Sequence, residues 1–156
     1  VPRVIRTALS RHNLDPRQLE VEITESVIMS QPELAVKELA AIQDLGVDIA
    51  LDDFGTGYSS LNYIASLPIN VLKIDRLFLK EQADNPGKGE IVKTIVQLAR
   101  DLGIRAIAEG VETREQLMWL KSLACPYAQG YYFSKPLPEE GLMKLLTSQP
   151  IEPAVQ

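Results

Sequence analysis

The sequence predicts an α/β fold of the (β/α) TIM-barrel type, incomplete, with about five strand–helix units. The first observation is that strand-like alternation and helical spacing of apolar residues follow each other along the chain. The second is that polar side chains stand near the C-terminal end of nearly every predicted strand, at Glu22, Asp52, Lys73, Glu109 and Gln129. Barrel strands converge there on one mouth, whereas an open doubly wound sheet would gather only the strands at its switch point. The polar residues therefore favour the barrel.

The elements are predicted in order from these two periodicities and from their end signals. The first half of the chain contains a helix at Pro2–His12, a strand at 19–24, a helix at 32–45 that ends before Gly46, a strand at 47–53 and a helix at 58–67 that stops at Pro68. The second half contains a strand at 71–77, a loop at 84–90, a helix at 90–102, a strand at 104–111, a helix at 113–123 capped by Thr113, a strand at 128–133 and a helix at 139–146.

The number of units predicts where the chain lies in its fold. A barrel of this type needs about 200 residues or more and eight strands. The 156 residues supply five strand–helix units and a leading helix. We therefore expect residues 1–148 to form part of a domain whose N-terminal strands are missing, and residues 149–156 to be a frayed tail.

Composition excludes several classes of protein. The chain is 46% hydrophobic and 24% charged, which is typical of a globular protein rather than a disordered one. A net charge of -5 argues against a partner that is a nucleic acid polymer. The single cysteine, Cys125, excludes an intrachain disulfide, and no stretch resembles a signal peptide or a membrane segment. We expect a cytoplasmic location.

The pair Asp52 and Asp53 is the first candidate for chemistry. Adjacent strand residues point to opposite faces, so both carboxylates can face the mouth only where the strand breaks. The glycine-rich sequence that follows supplies such a break. Two neighbouring carboxylates repel unless cations lie between them, which favours a two-metal site over a solvated acidic turn.

Glu22, at the end of its strand, adds a hard oxygen ligand of the kind that Mg²⁺ and Mn²⁺ accept, although an ordinary surface glutamate is the alternative. Glu25 lies just past the strand, where it either begins the next helix or holds a loop. Lys73 and Asp75 share one face of an apolar strand. A buried lysine needs a partner, either Asp75 or the metal-binding carboxylates, and it can orient water or neutralise phosphate charge.

Three polar residues belong to the last two strands. Glu109 follows an apolar strand and is a candidate metal ligand or general base. Glu112 stands beside Thr113 and has a simpler explanation as an acidic residue at a helix N-terminus. Gln129 either binds a base or fills the barrel interior.

These residues lie in segments that resemble the successive motifs of EAL domains. The segments are LEVEITE at 19–25, DDFGTGYSSL at 52–61, LKID at 72–75, AEGVE at 108–112 and QGY at 129–131. They occur in the order of the family and with roughly its spacing, over nearly the whole chain. Five motifs in order are a specific signal, whereas one alone would be weak.

The resemblance implies a role for each candidate. The metal ligands are Glu22, Asp52, Asp53 and Glu109, and the ions are two Mg²⁺ or Mn²⁺. The catalytic residues are Lys73, Glu109 and Glu112, of which the first two orient and activate the attacking water. The resemblance further implies substrate binding by Asp75 and Gln129, and stabilisation of the loop at 52–61 by Glu25.

The implied reaction is hydrolysis of one phosphodiester bond of cyclic-di-GMP to give linear pGpG in bacterial second-messenger signalling. The Glu-Ala-Leu segment of the family, an Asn ligand and an Arg that contacts substrate are absent from the sequence. We therefore expect the isolated chain to be an impaired enzyme. Its exposed strand edges favour a homodimer, and the family suggests a sensor or cyclase domain before residue 1.

Two other functions compete with this one. The missing ligands are also consistent with a non-catalytic module that binds cyclic-di-GMP or a partner protein and signals by dimerising. Strand-end Asp, Glu and Lys also occur in metal-dependent barrel enzymes that abstract a proton next to a carboxylate. The DDFGTG turn argues against this last class.

Overall fold

The fold is built on a parallel sheet with the strands in sequence order. A computed structural model describes residues 1–55, 64–81 and 86–147. The strands are β1 (Glu20–Thr24), β2 (Asp48–Phe54), β3 (Val71–Ile74), β4 (Arg105–Ala108) and β5 (Tyr127–Ala128). Each strand pairs in parallel with the next, and within the described residues β1 and β5 are the sheet edges. The prediction of an α/β fold with an incomplete barrel is confirmed.

Helices connect these strands and cover the sheet. They are α1 (Pro2–His12), α2 (Glu25–Ser30), α3 (Pro32–Gln43), α4 (Arg76–Glu81), α5 (Pro86–Leu102), α6 (Arg114–Ser122) and α7 (Glu139–Thr147), with a 3-10 turn at Pro16–Gln18. The bounds of α1 agree with the predicted helix. Helix α3 ends at Gln43, two residues before its predicted end, and Gly46 lies beyond it with φ +84, a conformation that glycine adopts at little cost.

The hydrophobic core lies between the middle strands and the helices. All four residues of β3 are buried, including Lys73. Apolar residues of α5 contribute Val92, Ile95 and Val96 to the same core cluster. Because each large apolar side chain contributes roughly 1.5–3 kcal/mol when fully buried, this cluster fixes the relative positions of β2, β3 and β4. The strand ends that carry the polar residues are therefore held by a packed interior.

Three predicted strands extend at least three residues beyond the observed C-terminal ends. The strand predicted at 71–77 ends at Ile74, because the Asp75 carboxylate accepts a hydrogen bond from the Leu77 backbone N–H (2.7 Å) and starts α4. The strand predicted at 104–111 is limited to Arg105–Ala108. The strand predicted at 128–133 is Tyr127–Ala128, followed by a turn closed by a hydrogen bond from Phe133 N–H to the Gly130 carbonyl (3.1 Å).

Three helical segments were predicted incorrectly or missed. The loop predicted at 84–90 is wrong from Pro86 onward, because α5 begins there. Helices α2 and α4 were not predicted as elements of their own. The predicted helix at 58–67 falls largely, and the tail at 149–156 wholly, outside the described residues. In the described ranges, no helix combines the length and the apolar character that crossing a membrane would require.

Candidate functional site

The end of β2 carries a break that places Asp52 and Asp53 together. The pairing of β2 with β3 shifts register between Leu51 and Phe54. At that point Asp53 has φ +56, a left-handed conformation that aspartate tolerates better than most residues. The Asp53 backbone N–H donates to Oδ1 of Asp52 (3.0 Å). The predicted break is therefore present, and within the described residues it includes Asp53 itself as well as Gly55, which has φ +92.

Lys73 is the centre of the site. Its ammonium Nζ lies 2.7 Å from Oε1 of Glu22, 2.8 Å from Oε1 of Glu109 and 3.5 Å from Oδ1 of Asp52. The parallel register brings these residues together, since Thr24 pairs with Asp52 and Lys73 pairs with Ile107, two residues before Glu109. Of the two kinds of partner that the sequence left open for Lys73, the structure selects the strand-end carboxylates.

The carboxylates keep Lys73 charged despite its burial. Lys73 is 5% exposed, and this burial acts to lower its pKa because it penalises the charged form. Hydrogen bonds to Glu109 and then to Glu22 act in the opposite direction, and the pKa of Lys73 is raised above its ordinary value. The site therefore holds a fixed positive charge at neutral pH.

Asp53 lies on the acidic side of the same region. Its pKa is raised, first by burial and then by the charges of Asp52 and Asp75, while Lys73 acts weakly in the opposite direction. Asp75 also caps α4 through the backbone N–H of Leu77. Negative charge thus accumulates around Asp53 beyond what Lys73 neutralises.

Of the two polar residues from the last units of the fold, Gln129 contacts Glu109, whereas Glu112 contacts a different lysine. The Gln129 Nε2 group donates to Oε1 of Glu109 (2.7 Å), the same oxygen that faces Lys73. Glu112 lies away from Lys73, and its Oε1 is 3.5 Å from Nζ of Lys80. The Glu112 backbone N–H donates to Oε1 of Gln116, within the capping box that begins α6.

Glu25 lies in the first turn of α2, directly after β1, and is 6% exposed. Such burial of a carboxylate is unusual and is compatible with a structural task. The loop that it is predicted to stabilise includes residues 56–61, which lie outside the described residues. That role stays a prediction.

A groove beside Glu109 contains functional candidates that the sequence reading did not identify. It has a volume of about 540 Å³ and is lined by Arg76, Glu109, Glu112, Gln129, Tyr131 and Lys135, together with the leucines at 137, 142 and 145 and smaller residues. Arg76 and Lys135 were missed. The available signal for Arg76 was its position directly after the strand-end residue Asp75.

The donor chemistry of the site fits a divalent cation. Within the described ranges, no three His, Cys, Asp or Glu side chains are already grouped as metal ligands, because Glu22, Asp52 and Glu109 surround Lys73 instead. The raised pKa of Asp53, caused by burial and by its acidic neighbours, nevertheless marks a place where added positive charge is favourable. Carboxylate oxygens are the ligands that Mg²⁺ and Mn²⁺ prefer.

Comparison with known proteins identifies the family. The family description "EAL domain" matches residues 1–136. Since this match covers most of the chain, the protein belongs to the EAL domain family, and the resemblance drawn from the five motifs is confirmed.

Two relatives from Pseudomonas aeruginosa are similar to this chain. The bifunctional diguanylate cyclase/cyclic di-GMP phosphodiesterase MucR is 44% identical over 139 residues, which are 89% of this chain and 20% of MucR. The cyclic di-GMP phosphodiesterase NbdA is 40% identical over 142 residues, which are 91% of this chain and 18% of NbdA. The chain thus spans about a fifth of the length of these curated relatives.

Solved structures of EAL proteins have the same fold. The MucR phosphodiesterase in complex with c-di-GMP matches with a TM-score of 0.85 and 44% identity, covering 88% of this chain and 56% of the other. The manganese and cyclic-di-GMP complex of BlrP1 from Klebsiella pneumoniae matches with a TM-score of 0.77 and 34% identity, covering 85% of this chain and 34% of the other.

Proposed function

We propose that the chain carries the C-terminal part of a cyclic-di-GMP phosphodiesterase site that cleaves one phosphodiester bond and releases linear pGpG. The observation that carries this proposal is the buried ammonium of Lys73, held within 3.5 Å of carboxylates from β1, β2 and the end of β4. A fixed positive charge among acidic groups at strand ends suits the stabilisation of a phosphate that gains negative charge. The relatives named as cyclic di-GMP phosphodiesterases, NbdA among them, support the substrate.

The residues of this chain divide the chemistry between them. Oε1 of Glu109 already accepts from Lys73 and Gln129, so Oε2 is the atom that takes the proton of the attacking water. The water oxygen bonds to phosphorus, and the bond from phosphorus to the departing sugar oxygen breaks. That oxygen takes up the proton that Glu109 removed from the water, and the phosphate stays on the 5′ end of the linear product. Lys73 stabilises the charge that develops on the phosphate oxygens.

A divalent cation belongs to this proposal. Glu22, Asp52 and Asp53 are the residues that would hold Mg²⁺ or Mn²⁺, as the resemblance implies. Such a cation, when bound, neutralises phosphate charge and makes water more acidic. Glu109 is a fourth predicted ligand. The manganese complex of BlrP1 supports the choice of metal.

The remaining predicted roles are consistent with this assignment. Glu112 lines the groove beside Glu109 and adds a second carboxylate to its wall. Gln129 orients Glu109 through its hydrogen bond, besides any contact with substrate. Asp75 begins α4 and stays a predicted substrate-binding residue, and Glu25 stays the residue predicted to hold the loop at 52–61.

The whole protein has further predicted properties that we retain as proposals. The names of MucR, a bifunctional cyclase and phosphodiesterase, and of the oxygen sensor protein DosP support a neighbouring cyclase or sensor domain. In the part of the chain that the structure describes, β1 has a strand neighbour on one side only, and such an edge supports a homodimer. A cytoplasmic location follows from the cyclic dinucleotide substrate.

One observation favours a second function for the isolated chain. Lys73 is already paired with Glu22, Asp52 and Glu109, and among the described residues no three-carboxylate metal cluster is preassembled. A module that binds cyclic-di-GMP without cleaving it would need no such cluster. The test must distinguish this binding module from a phosphodiesterase.

The test is incubation of the chain with cyclic-di-GMP and Mn²⁺, followed by chromatography for pGpG. We expect weak turnover, because the isolated chain is predicted to be impaired, that falls at least about 100-fold in Glu109→Gln and is unchanged in Glu33→Gln, an exposed carboxylate on α3. Binding measured by calorimetry without turnover would select the binding module. The absence of both binding and turnover would overturn the proposed function.

A further inference from the structure

Neighbouring strands fix only the first half of the segment 109–113. The Glu109 backbone N–H donates to the Ile74 carbonyl of β3 (3.0 Å), and the Val111 N–H donates to the Gln129 carbonyl (3.0 Å). Val111 is fully buried, so this half of the segment is anchored in the interior. Beyond it the chain turns toward α6, and the next backbone N–H groups need another acceptor.

The side chain of Gln116 supplies that acceptor. Its Oε1 accepts from the Glu112 backbone N–H (2.7 Å) and from the Thr113 backbone N–H (3.0 Å). The Thr113 hydroxyl accepts in return from the Gln116 backbone N–H (3.2 Å), which completes the capping box of α6. One side-chain oxygen therefore holds the two consecutive peptide groups that follow Val111.

The other end of the Gln116 amide contacts a different helix. Its Nε2 donates to the backbone carbonyl of Leu79 in α4 (3.3 Å), 37 positions away in the sequence. Leu79 is 1% exposed and belongs to the hydrophobic core. A capping box uses only the acceptor of the side chain, so the bond to Leu79 is not needed to begin α6. Gln116 thus ties the backbone of Glu112 to a buried point of α4.

This tie joins two connections that carry residues of the candidate site. Helix α4 begins three residues after Lys73, and the segment that Gln116 holds begins with Glu109. A second contact lies beside the tie, where Nζ of Lys80 is 3.5 Å from Oε1 of Glu112. Both of these side chains are nearly half exposed, so their ion pair contributes little, and the amide of Gln116 is the better defined link.

We propose that Gln116 is a positioning residue of the phosphodiesterase site. It fixes the backbone of Glu112 relative to α4, and this fixes the direction from which Glu109 meets Lys73. The inference rests on the proposed function, in which Glu109 takes the proton of the attacking water. Gln116 does not line the groove beside Glu109, and it acts only through the groups that it holds.

The substitution Gln116→Glu separates this role from helix capping. Glutamate keeps acceptor oxygens for the capping box and adds a negative charge to the first turn of α6, which suits the helix dipole. It lacks the amide hydrogens, so a carboxylate oxygen faces the Leu79 carbonyl and the tie to α4 is lost. Gln116→Ala removes the cap and the tie together.

The chain contains a matched control in Gln18. Gln18 is the N3 residue of the capping box at the 3-10 turn Pro16–Gln18, and its Oε1 accepts from the Asp15 backbone N–H (3.2 Å). It is exposed, and in the part of the chain that the structure describes its side chain bonds only within its own turn. Gln18→Glu and Gln18→Ala therefore alter a cap without altering a tie between helices.

The first measurement needs neither metal nor turnover. The side-chain amide of Gln129 donates to Oε1 of Glu109, so its proton chemical shift reports the position of that carboxylate. Proton–nitrogen correlation NMR in the presence of EDTA records this signal, which is assigned by its loss in Gln129→Ala. We expect the signal to move in both Gln116 variants and to stay in place in both Gln18 variants.

The second measurement is turnover of cyclic-di-GMP with Mn²⁺. We expect kcat to fall about tenfold in both Gln116 variants at an unchanged KM, because a displaced general base slows the chemical step without weakening substrate binding. The Gln18 variants should keep the kcat of the unaltered chain. Thermal unfolding verifies that each variant is folded. If Gln116→Ala does not fold, Gln116→Glu decides alone, because it retains the cap.

Two results would overturn the inference. One is a Gln129 signal that stays in place in the folded Gln116 variants. The other is a Gln116→Glu variant that matches the unaltered chain in signal and in kcat, which would leave Gln116 a helix cap only. Failure of the proposed function looks different: the Gln129 signal moves as expected, but the unaltered chain neither binds cyclic-di-GMP nor yields pGpG.

Discussion

The ammonium of Lys73 lies 2.7 Å from Oε1 of Glu22, although the two residues are 51 positions apart and β2 runs between their strands. This contact spans the carboxyl ends of three strands, so it requires the register of both strand pairs to be correct. The ion pair that holds the charge of Lys73 therefore forms only when the strands of the sheet pair in this order and register.

The first prediction concerns that ion pair. Lys73→Met leaves three carboxylates without their shared cation, and we expect the free energy of unfolding at pH 7 to fall by about 1–3 kcal/mol. Because the pKa of Lys73 is raised in the fold, its contribution is complete below the ordinary lysine value of 10.5 and is lost only above it, so pH 7 is a suitable condition. Urea unfolding measures the change.

Lys93→Met is the matched control. Lys93 forms an ion pair with Glu90 at 3.4 Å in which both side chains are more than half exposed. We expect a change within about 0.5 kcal/mol. An equal effect of the two substitutions would contradict a special role for the buried lysine.

The second prediction compares two glycines with nearly the same backbone conformation. Gly110 has φ +70 and Gly103 has φ +69, but a Cβ at Gly110 would meet the Arg76 Cβ at 2.4 Å, whereas a Cβ at Gly103 has no neighbour within 4 Å. Gly103→Ala should cost only the left-handed backbone penalty of roughly 1–2 kcal/mol. Gly110→Ala should cost about 1–3 kcal/mol more, because a packed contact must move. Thermal unfolding of both variants tests this, and equal losses would show that Arg76 is not packed there.

The third prediction concerns Asp53 in the metal-free protein. Its folded pKa is raised above the ordinary value of 3.8, so its ionised carboxylate destabilises the fold at neutral pH, and this penalty disappears as the pH falls through the folded pKa. Asp53→Asn should therefore raise the melting temperature near pH 7, and the difference should shrink on acidification. Asparagine also accepts the left-handed backbone at this position. The control Glu33→Gln removes an exposed charge and should show no such pH dependence.

The fourth prediction concerns metal binding. If Asp52 and Asp53 hold a divalent cation, Mn²⁺ at 100 times its Kd should stabilise the chain by about 2.7 kcal/mol, and EDTA should reverse the effect. Asp53→Asn should then be more stable than the unaltered chain without metal and gain less when metal is added. A melting temperature that does not respond to Mn²⁺ would exclude these carboxylates as a metal site in this chain.

Much of the fold followed from local pattern, because apolar periodicity marks which face of an element is buried. The helix at Pro2–His12 and the strand near residues 19–24 were predicted almost to their ends. The apolar alternation at 71–77 was misleading, because it continues past the end of the strand. The Asp75 carboxylate accepts a hydrogen bond from the Leu77 backbone N–H, and α4 begins there. Whether the Asp75 side chain or a neighbouring strand bonds to the backbone at this point depends on the tertiary structure.

The candidate site could likewise be predicted only in part. The strand-end positions of Glu22, Asp52, Lys73 and Glu109 could be read from the sequence because parallel strands bring their carboxyl ends together. Which carboxylates contact Lys73 depends on strand register, which no local pattern encodes. The close packing of Arg76 against Gly110 could not be predicted, because the two residues are 34 positions apart.

The left-handed backbone at Asp53 also restricts how this turn can change over generations. Most side chains would strain the bulge at the end of β2, whereas asparagine and glycine would preserve its shape. A lineage that lost the need for the charge would therefore drift most readily to one of these two residues while keeping the turn intact. In such a lineage the turn would persist after the function of the carboxylate was lost, and asparagine or glycine at position 53 would mark that loss.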